Sequence, residues 1–444
     1  MKSFKLGGVH PEENKMAANK AIEKIALPQQ VAIPVSQHLG VPAKVLVKKG
    51  DIVKTGQLIA QGEAFISANI HSSVSGTVFK IDDVIDTSGY KRQAVIINVD
   101  EEETWEDAID TSENLVKECR LSPKEIIEKL KEKGIVGLGG ATFPSHVKLM
   151  VPEGKKAEYL IINAVECEPY LTADHQIMLE KAEEIMVGIS ILMKGLGVEK
   201  ALIGIESNKP DAIEHLSKVA QNYKNIEVHA LKVQYPQGAE KQLIQALVNR
   251  EVPSGKLPIE VGCVVNNVGT AFAVYEAVQK NKPLIERVVT VTGKSVKNPC
   301  NLLVRIGTPV SMLIEKAGGL PEDTGKVING GPMMGKALNS LEVPVVKGTS
   351  GILIMNEKES SRAKVFNCIR CAKCVMVCPM GLEPAQLSNL SDSKEWELAE
   401  KNHIMDCIEC GSCAYTCPSG RPLLDNIRLG KAEVGKIIRN KNKK

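Results

Sequence analysis

Apolar residues change their period several times along this chain. From about residue 28 to 99, short valine and isoleucine runs (VAIPVSQHLG, AKVLVKKGDIVKTGQLIAQG, IHSSVSGTVFKI, QAVIINV) are cut by glycine every eight to twelve residues or so, which predicts an all-β module within residues 1–100. The acidic stretch DEEETWEDAIDTSEN at 100–114 has no apolar face and predicts a solvated linker at a domain boundary. Beyond it, helical patterns (SPKEIIEKLKEKG, HQIMLEKAEEIMVGISILMKGLG, AEKQLIQALVNR) alternate with strand-like runs (EYLIINAV, KALIGIES, IEVHALKV, GCVVNNV). That alternation predicts an α/β domain over 115–282 with a largely parallel sheet. Strands mixed with one short helix predict a small α+β domain over 283–358. A cysteine-bearing helical domain is expected at 359–430, and the basic KIIRNKNKK predicts a solvated tail over 431–444.

Composition agrees with a chain of several cores: 444 residues, 43% hydrophobic and 25% charged, exceed what one core serves. A run of about eighteen apolar residues is needed to span a bilayer, and none occurs. The start MKSFKLGGVHPEEN carries acids and Pro11 where a secretory signal needs an apolar stretch, so a cytoplasmic location with reduced thiols is expected. A formal charge of +3 gives no reason to expect a nucleic-acid partner.

Cysteine changes the picture most. Eight of the twelve fall into two matched frames, CIRCAKCVMVCPMGL at 368–382 and CIECGSCAYTCPSGR at 407–421, each C-x2-C-x2-C-x3-C-P. Three thiolates two residues apart wrap one face of a cubane cluster, and the fourth, past a turn, points away. Zinc ribbons use two C-x2-C knuckles separated by a longer loop, so the frame points to iron and sulfur. The double frame resembles that of bacterial ferredoxins, in which the fourth cysteine serves the other cluster. The resemblance implies Cys368, Cys371, Cys374 and Cys417 for one 4Fe-4S cluster, and Cys407, Cys410, Cys413 and Cys378 for the other. Such a pair is an electron relay, which needs a donor and an acceptor.

Three further segments are candidates for that exchange. GIVGLGGATFPSHVKL at 134–149 places glycines where backbone must approach a ligand closely, though without the usual dinucleotide spacing. INAVECEPYLTAD at 162–174 and VVNNVGTAFAV at 264–274 put polar residues at strand ends, where α/β proteins bind ligands. Together they resemble the flavin-bearing, NADH-oxidising subunit of respiratory complex I. The resemblance implies a non-covalent FMN approached by Gly137, Gly139, Gly140 and Lys148, an isoalloxazine and nicotinamide side lined by Asn163, Glu166 and Glu168, and a ribityl phosphate held by Asn266, Asn267 and Thr270. Leu138 stands where that family has an arginine, and YPQGAEKQL replaces its acidic turn while keeping Gly238 and Glu240.

VKKGDIVKTGQLIA and SGTVFKI resemble the lipoyl and biotinyl carrier sandwich, but the hairpin tip reads IHSSVSG without a carrier lysine, so the module is expected to be structural. Residues 302–335 resemble the β-grasp soluble-ligand-binding (SLBB) domain, here expected to serve as an interface. The whole order, with HSSVSGTV, NAVECEPYLTADH, NGGPMMG and both cysteine frames, resembles the RnfC family of the Rnf complex, a membrane-bound ferredoxin:NAD oxidoreductase. That family implies a peripheral subunit on the cytoplasmic face of the bacterial membrane. It implies electron exchange between NAD(H), FMN and two 4Fe-4S clusters toward or from ferredoxin. Partner subunits A, B, D, E and G would couple the exchange to Na+ or H+ movement. Two rival readings are a cobalamin reductase of bacterial microcompartments and a non-catalytic iron-sulfur scaffold. Tyr170, Tyr235 and Met333–Met334 are expected to pack, Cys167 to fill space, and His10, His71, His146 and His175 to serve as polar or capping residues.

Overall fold

A computed structural model of the protein describes residues 1–441. Its amino-terminal β module is built from two antiparallel sheets, one of four strands (Gln30–Pro34, Lys91–Val99, Gly76–Ile85, Ile52–Val53) and one of three (Lys44–Val45, Leu58–Gln61, Ile70–His71). Alternating β-branched residues, among them Val31, Ile33, Ile59, Val95 and Ile97, fill the space between them. The hairpin tip is buried: Ser73 donates its hydroxyl to the Ile306 carbonyl, and Arg305 Nη1 donates to the Ser73 carbonyl at 3.1 Å. A tip docked in this way cannot swing, so the module is a fixed part of the scaffold.

Residues 1–24 precede the two sheets of that module and pair with other parts of the chain. Lys2 bridges to Leu231 and Val9 to Tyr235, and Ile22–Lys24 adds a parallel edge strand to Cys300–Arg305. Open sheet edges in other domains carry unpaired backbone groups, and this extended segment satisfies them. The acidic linker is exposed as expected, yet it is strapped down. Thr55 N–H donates to the Thr104 carbonyl at 2.8 Å, Lys280 pairs with Asp110 at 2.7 Å, and the Arg305 guanidinium lies 4.8 Å from the Trp105 ring centre.

The central domain has four parallel strands in the order Ile226–Leu231, Lys200–Glu206, Tyr159–Asn163, Cys263–Asn267. Helices Pro123–Glu132, Ala182–Leu196 and Val268–Gln279 cover one face with Ile126, Leu130, Ile185, Leu192 and Val274. Ser122 and Glu125 form a capping box that starts the first helix. A six-stranded mixed sheet (edge strand Ile22–Lys24, then Cys300–Arg305, Glu286–Thr292, Gly351–Asn356, Thr324–Asn329, Lys336–Ala337) forms the next domain. Helices Pro384–Asp392 and Leu423–Lys441 pack on each other in the last one through Leu387, Ile427 and Val434. The expected basic tail is therefore corrected. Residues 431–441 continue a 19-residue helix because Val434 and Gly435 supply a buried stripe. Residues 442–444 of that segment lie outside the described residues.

Candidate functional site: a flavin crevice and a cluster cavity

In the parallel sheet the chain runs outward on one side of Tyr159–Asn163, then returns to lay Cys263–Asn267 on the other. The carboxyl ends of these two strands, with Asn163 directly opposite Asn267, form the topological switch point where such sheets leave a crevice. The glycine-rich loop enters there. Gly137 N–H donates to the Phe143 carbonyl at 2.9 Å, closing the loop. A Cβ on Gly139 would stand 3.4 Å from Asn267 Cβ, and Gly140 has φ +107° with open space around it. Leu138 turns the other way into the core. Its N–H donates to Thr270 Oγ1 at 2.9 Å and its carbonyl accepts from Arg287 Nη2 at 3.4 Å. The residue that replaces the family's arginine thus points into protein, away from the loop's open side.

Asn163 Nδ2 donates to the Gly238 carbonyl at 2.8 Å, and Asn267 Oδ1 caps helix Val268–Gln279 by accepting from Gly269 N–H at 2.9 Å. Asn267 Nδ2 donates to Asp174 Oδ2 at 2.6 Å. Burial and the nearby Glu166 carboxylate push the Asp174 carboxyl up to about 7. Lys148 Nζ donates to Glu240 Oε1 at 3.1 Å and to the Val265 carbonyl at 2.9 Å, which ties the short helix Ser145–Leu149 to the strand end. Asn266 is buried and its Nδ2 has no partner among the described residues; the buried Ser145 Oγ has none either. Orphaned buried donors are costly. At a switch point beside a glycine loop they fit a ligand rich in acceptors, such as a flavin phosphate.

Glu166 and Glu168 each have partners within the protein. Glu166, at φ +48°, accepts from the N–H groups of Asp174 (2.7 Å) and His175 (3.2 Å), so it caps helix Ala173–Glu180. Glu168 accepts from Met333 N–H (3.2 Å) and Met334 N–H (2.8 Å) of the loop NGGPMMG. Burial lifts its carboxyl to about 7. Two lysines, Lys209 buried and Lys15 half-buried, escaped the sequence reading. Lys15 Nζ donates to the carbonyls of Glu166, Glu168 and Leu171 at 2.7–2.9 Å, and Lys209 Nζ donates to the Val165 carbonyl at 2.8 Å. They hold the loop that follows the first strand. No local pattern marks Lys15, which lies 151 positions from Glu166.

The cysteine frames fold alike. Arg370 and Ala372 in one, Glu409 and Gly411 in the other, have φ between +55° and +81°, on either side of the second cysteine. Alternation into the left-handed region turns successive N–H groups inward, a concavity suited to an anionic cluster. Cys378, Cys407, Cys410 and Cys413 line one small apolar cavity walled by Leu387 and Ile427. Burial raises the thiols of Cys407 to about 11 and Cys413 to about 12, so only strong ligation would keep them as thiolates. Among the described residues no group of three His, Cys, Asp or Glu converges to hold a single metal ion. Four thiols lining one cavity, three of them from one C-x2-C-x2-C frame, fit a cubane cluster. Of the second set Cys368 and Cys371 are exposed, and Cys374 and Cys417 half-buried.

Fold and site define a multidomain electron-transfer protein, with a flavin-type α/β domain joined to a ferredoxin-type one. Residues 2–102 match the RnfC barrel sandwich hybrid domain, 130–276 the Nuo51 FMN-binding domain, 288–337 the SLBB domain and 367–421 the 4Fe-4S dicluster domain. The sequence is 48% identical over 404 residues to the C subunit of the proton-translocating ferredoxin:NAD(+) oxidoreductase complex of Clostridium ljungdahlii, covering 91% of this chain and 87% of that protein. It is 45% identical over 429 residues to the Na(+)-translocating counterpart of Acetobacterium woodii, covering 96% of each. To the C subunit of the ion-translocating oxidoreductase complex of Rhodobacter capsulatus it is 42% identical, over 98% of this chain and 84% of that protein. The chain belongs to the RnfC family, with an FMN-binding domain and a 4Fe-4S dicluster domain. An NAD+-reducing NiFe-hydrogenase in the H2-reduced state shares the fold at 18% identity, TM-score 0.50, over 70% of this chain and 63% of that one. Among the described residues no helix is long and apolar enough to cross a membrane.

Proposed function

We propose that this chain is the component through which a ferredoxin:NAD+ oxidoreductase complex exchanges electrons with NAD(H). It would sit peripherally on the cytoplasmic face, beside subunits A, B, D, E and G that move Na+ or H+. Bound FMN accepts a hydride as an electron pair and releases the electrons singly, which is what links a nicotinamide to iron-sulfur clusters. The chain's own part is geometric. Asn266 would supply an unpaired donor and Gly139 and Gly140 close backbone approach at the switch point, while Asn267, Thr270 and Gly137 would hold the shape of its wall through bonds within the protein, with Asn163 and Gly238 along its edge. Lys148 and Glu240 neutralise each other there, so they would brace the crevice more than charge it.

The observation that carries the reading is the contact between crevice and clusters. Tyr235, three residues before Gly238, donates its hydroxyl to the Cys410 carbonyl at 2.8 Å, and Gln242 Nε2 donates to the Pro379 carbonyl at 3.0 Å. The set of Cys378, Cys407, Cys410 and Cys413 is thus the one that would hold its cluster beside the flavin domain. The set with Cys368 and Cys371 lies at the surface among exposed Phe366, Ile369 and Met376, suited to a redox partner such as ferredoxin or another subunit. The match to the barrel sandwich at 2–102 favours this reading over a microcompartment cobalamin reductase. Anaerobically reconstituted protein should bind FMN, bleach its visible band on NADH addition and then show reduced-cluster paramagnetic resonance. Clusters without flavin binding would refute the reading and leave the scaffold.

A further inference from the structure

Resting on that reading, we infer that Glu168 and Tyr235 are positioning residues. They hold the Cys378, Cys407, Cys410 and Cys413 cluster at a set separation from the flavin crevice, with the loop 330–335 as the wedge between them. Both carboxylate oxygens of Glu168 are committed to this loop: Oε2 to Met333 N–H and Oε1 to Met334 N–H. Among the described residues no cation pairs with the carboxylate. Lys15, the nearest, spends its three donors on backbone carbonyls. A buried carboxylate held by two amides and, more loosely at 3.4 Å, by the Tyr235 hydroxyl costs more than a glutamine or an apolar residue filling the same space. Its return is a rigid joint.

The loop is compressed from both sides. A Cβ on Gly331 would lie 2.2 Å from Glu168 Oε2, and one on Gly411 would lie 2.8 Å from the Met333 carbonyl. The loop therefore rests on Glu168 at one side and on the turn between Cys410 and Cys413 at the other. Tyr235 supplies a second strut in parallel. It is 2% exposed, its hydroxyl spends its proton on the Cys410 carbonyl, and it sits in one apolar cluster with Val9, Cys167 and Cys410. Main-chain bonds in both directions with Val9, at 2.8 and 2.9 Å, fix its backbone. Two struts from the flavin domain thus meet the same cysteine turn. The β-grasp domain acts as a spacer, which accounts for its place between flavin and cluster domains.

The test compares wild type with Glu168→Gln and the near-isosteric Tyr235→Phe, as full chains loaded with FMN and clusters. Stopped-flow absorbance follows flavin bleaching by NADH, and freeze-quenched paramagnetic resonance follows cluster reduction. Electron transfer between two cofactors falls exponentially with their separation, so a joint that slackens should slow cluster reduction severalfold in each variant. Flavin bleaching and FMN affinity, by fluorescence quenching, should stay within about twofold of wild type. Amide exchange at Met333 and Met334 should accelerate in Glu168→Gln before any cofactor is added. Flavin bleaching or FMN affinity falling in step with cluster reduction would make Glu168 a cofactor ligand and overturn the proposal. Unchanged cluster reduction in both variants would overturn it too. If wild type fails to bleach with NADH, the parent reading falls, while amide exchange still decides whether the joint exists.

Discussion

Replacing Asn267 by alanine removes two interactions at once. The helix Val268–Gln279 loses its cap, worth about 1 kcal/mol. The Asp174 carboxylate, half-buried, loses the short bond from Nδ2, and a lost hydrogen bond to a charged group costs about 2 kcal/mol. Some 3 kcal/mol would lower the melting temperature of a domain this size by roughly 6–12 °C. The second contribution depends on pH. The folded-state pKa of Asp174 lies at about 7, raised above the ordinary 3.8 by burial and Glu166. Its ionised form is thus a penalty on folding, present above about pH 7 and relieved as the pH falls through that value and the folded state takes up a proton. The Asn267 amide offsets that penalty only while the carboxyl is ionised. Asn267→Ala should therefore lose most at pH 8, and little beyond the cap at pH 5. Thermal melts of the flavin-free protein at the two pH values, followed by near-ultraviolet circular dichroism, measure the difference. Equal losses at both would refute the pairing of Asn267 with an ionised Asp174.

Three other outcomes are expected. Lys15→Met leaves the carbonyls of Glu166, Glu168 and Leu171 without their donor, and should destabilise the protein by about 2–3 kcal/mol and expose residues 1–20 to limited proteolysis; a protected segment would count against the clamp. Gly139→Val would drive a branched side chain against Asn267, lowering FMN affinity by about tenfold or more, while Gly140→Ala, in open space, costs about 1–3 kcal/mol of backbone strain without a clash, as titration and melting would show. Cys410→Ser should remove one cluster, cutting chemically assayed iron by roughly half, and abolish electron passage beyond the flavin.

What the amino-acid order determined by itself was whatever depends on short-range spacing. Two C-x2-C-x2-C-x3-C-P frames dictate how three thiols can wrap a cluster, and valine alternation dictates a sandwich. A glycine-rich turn followed by polar strand ends announces a crevice, because these are properties of neighbours within a few residues. Tertiary structure decided which partner each polar group takes. Glu166 and Glu168 carry the same side chain two positions apart on one loop, yet one caps a helix and the other holds a loop of the next domain. Lys15 reaches their carbonyls from another part of the chain, and residues 1–24 find edges on sheets they do not begin. The basic end became helix because Val434 finds Leu387, Ile404 and Ile427. Buried donors and acceptors are satisfied by whatever docking brings within about 3 Å, and that choice depends on long-range packing, which leaves no periodic trace in sequence.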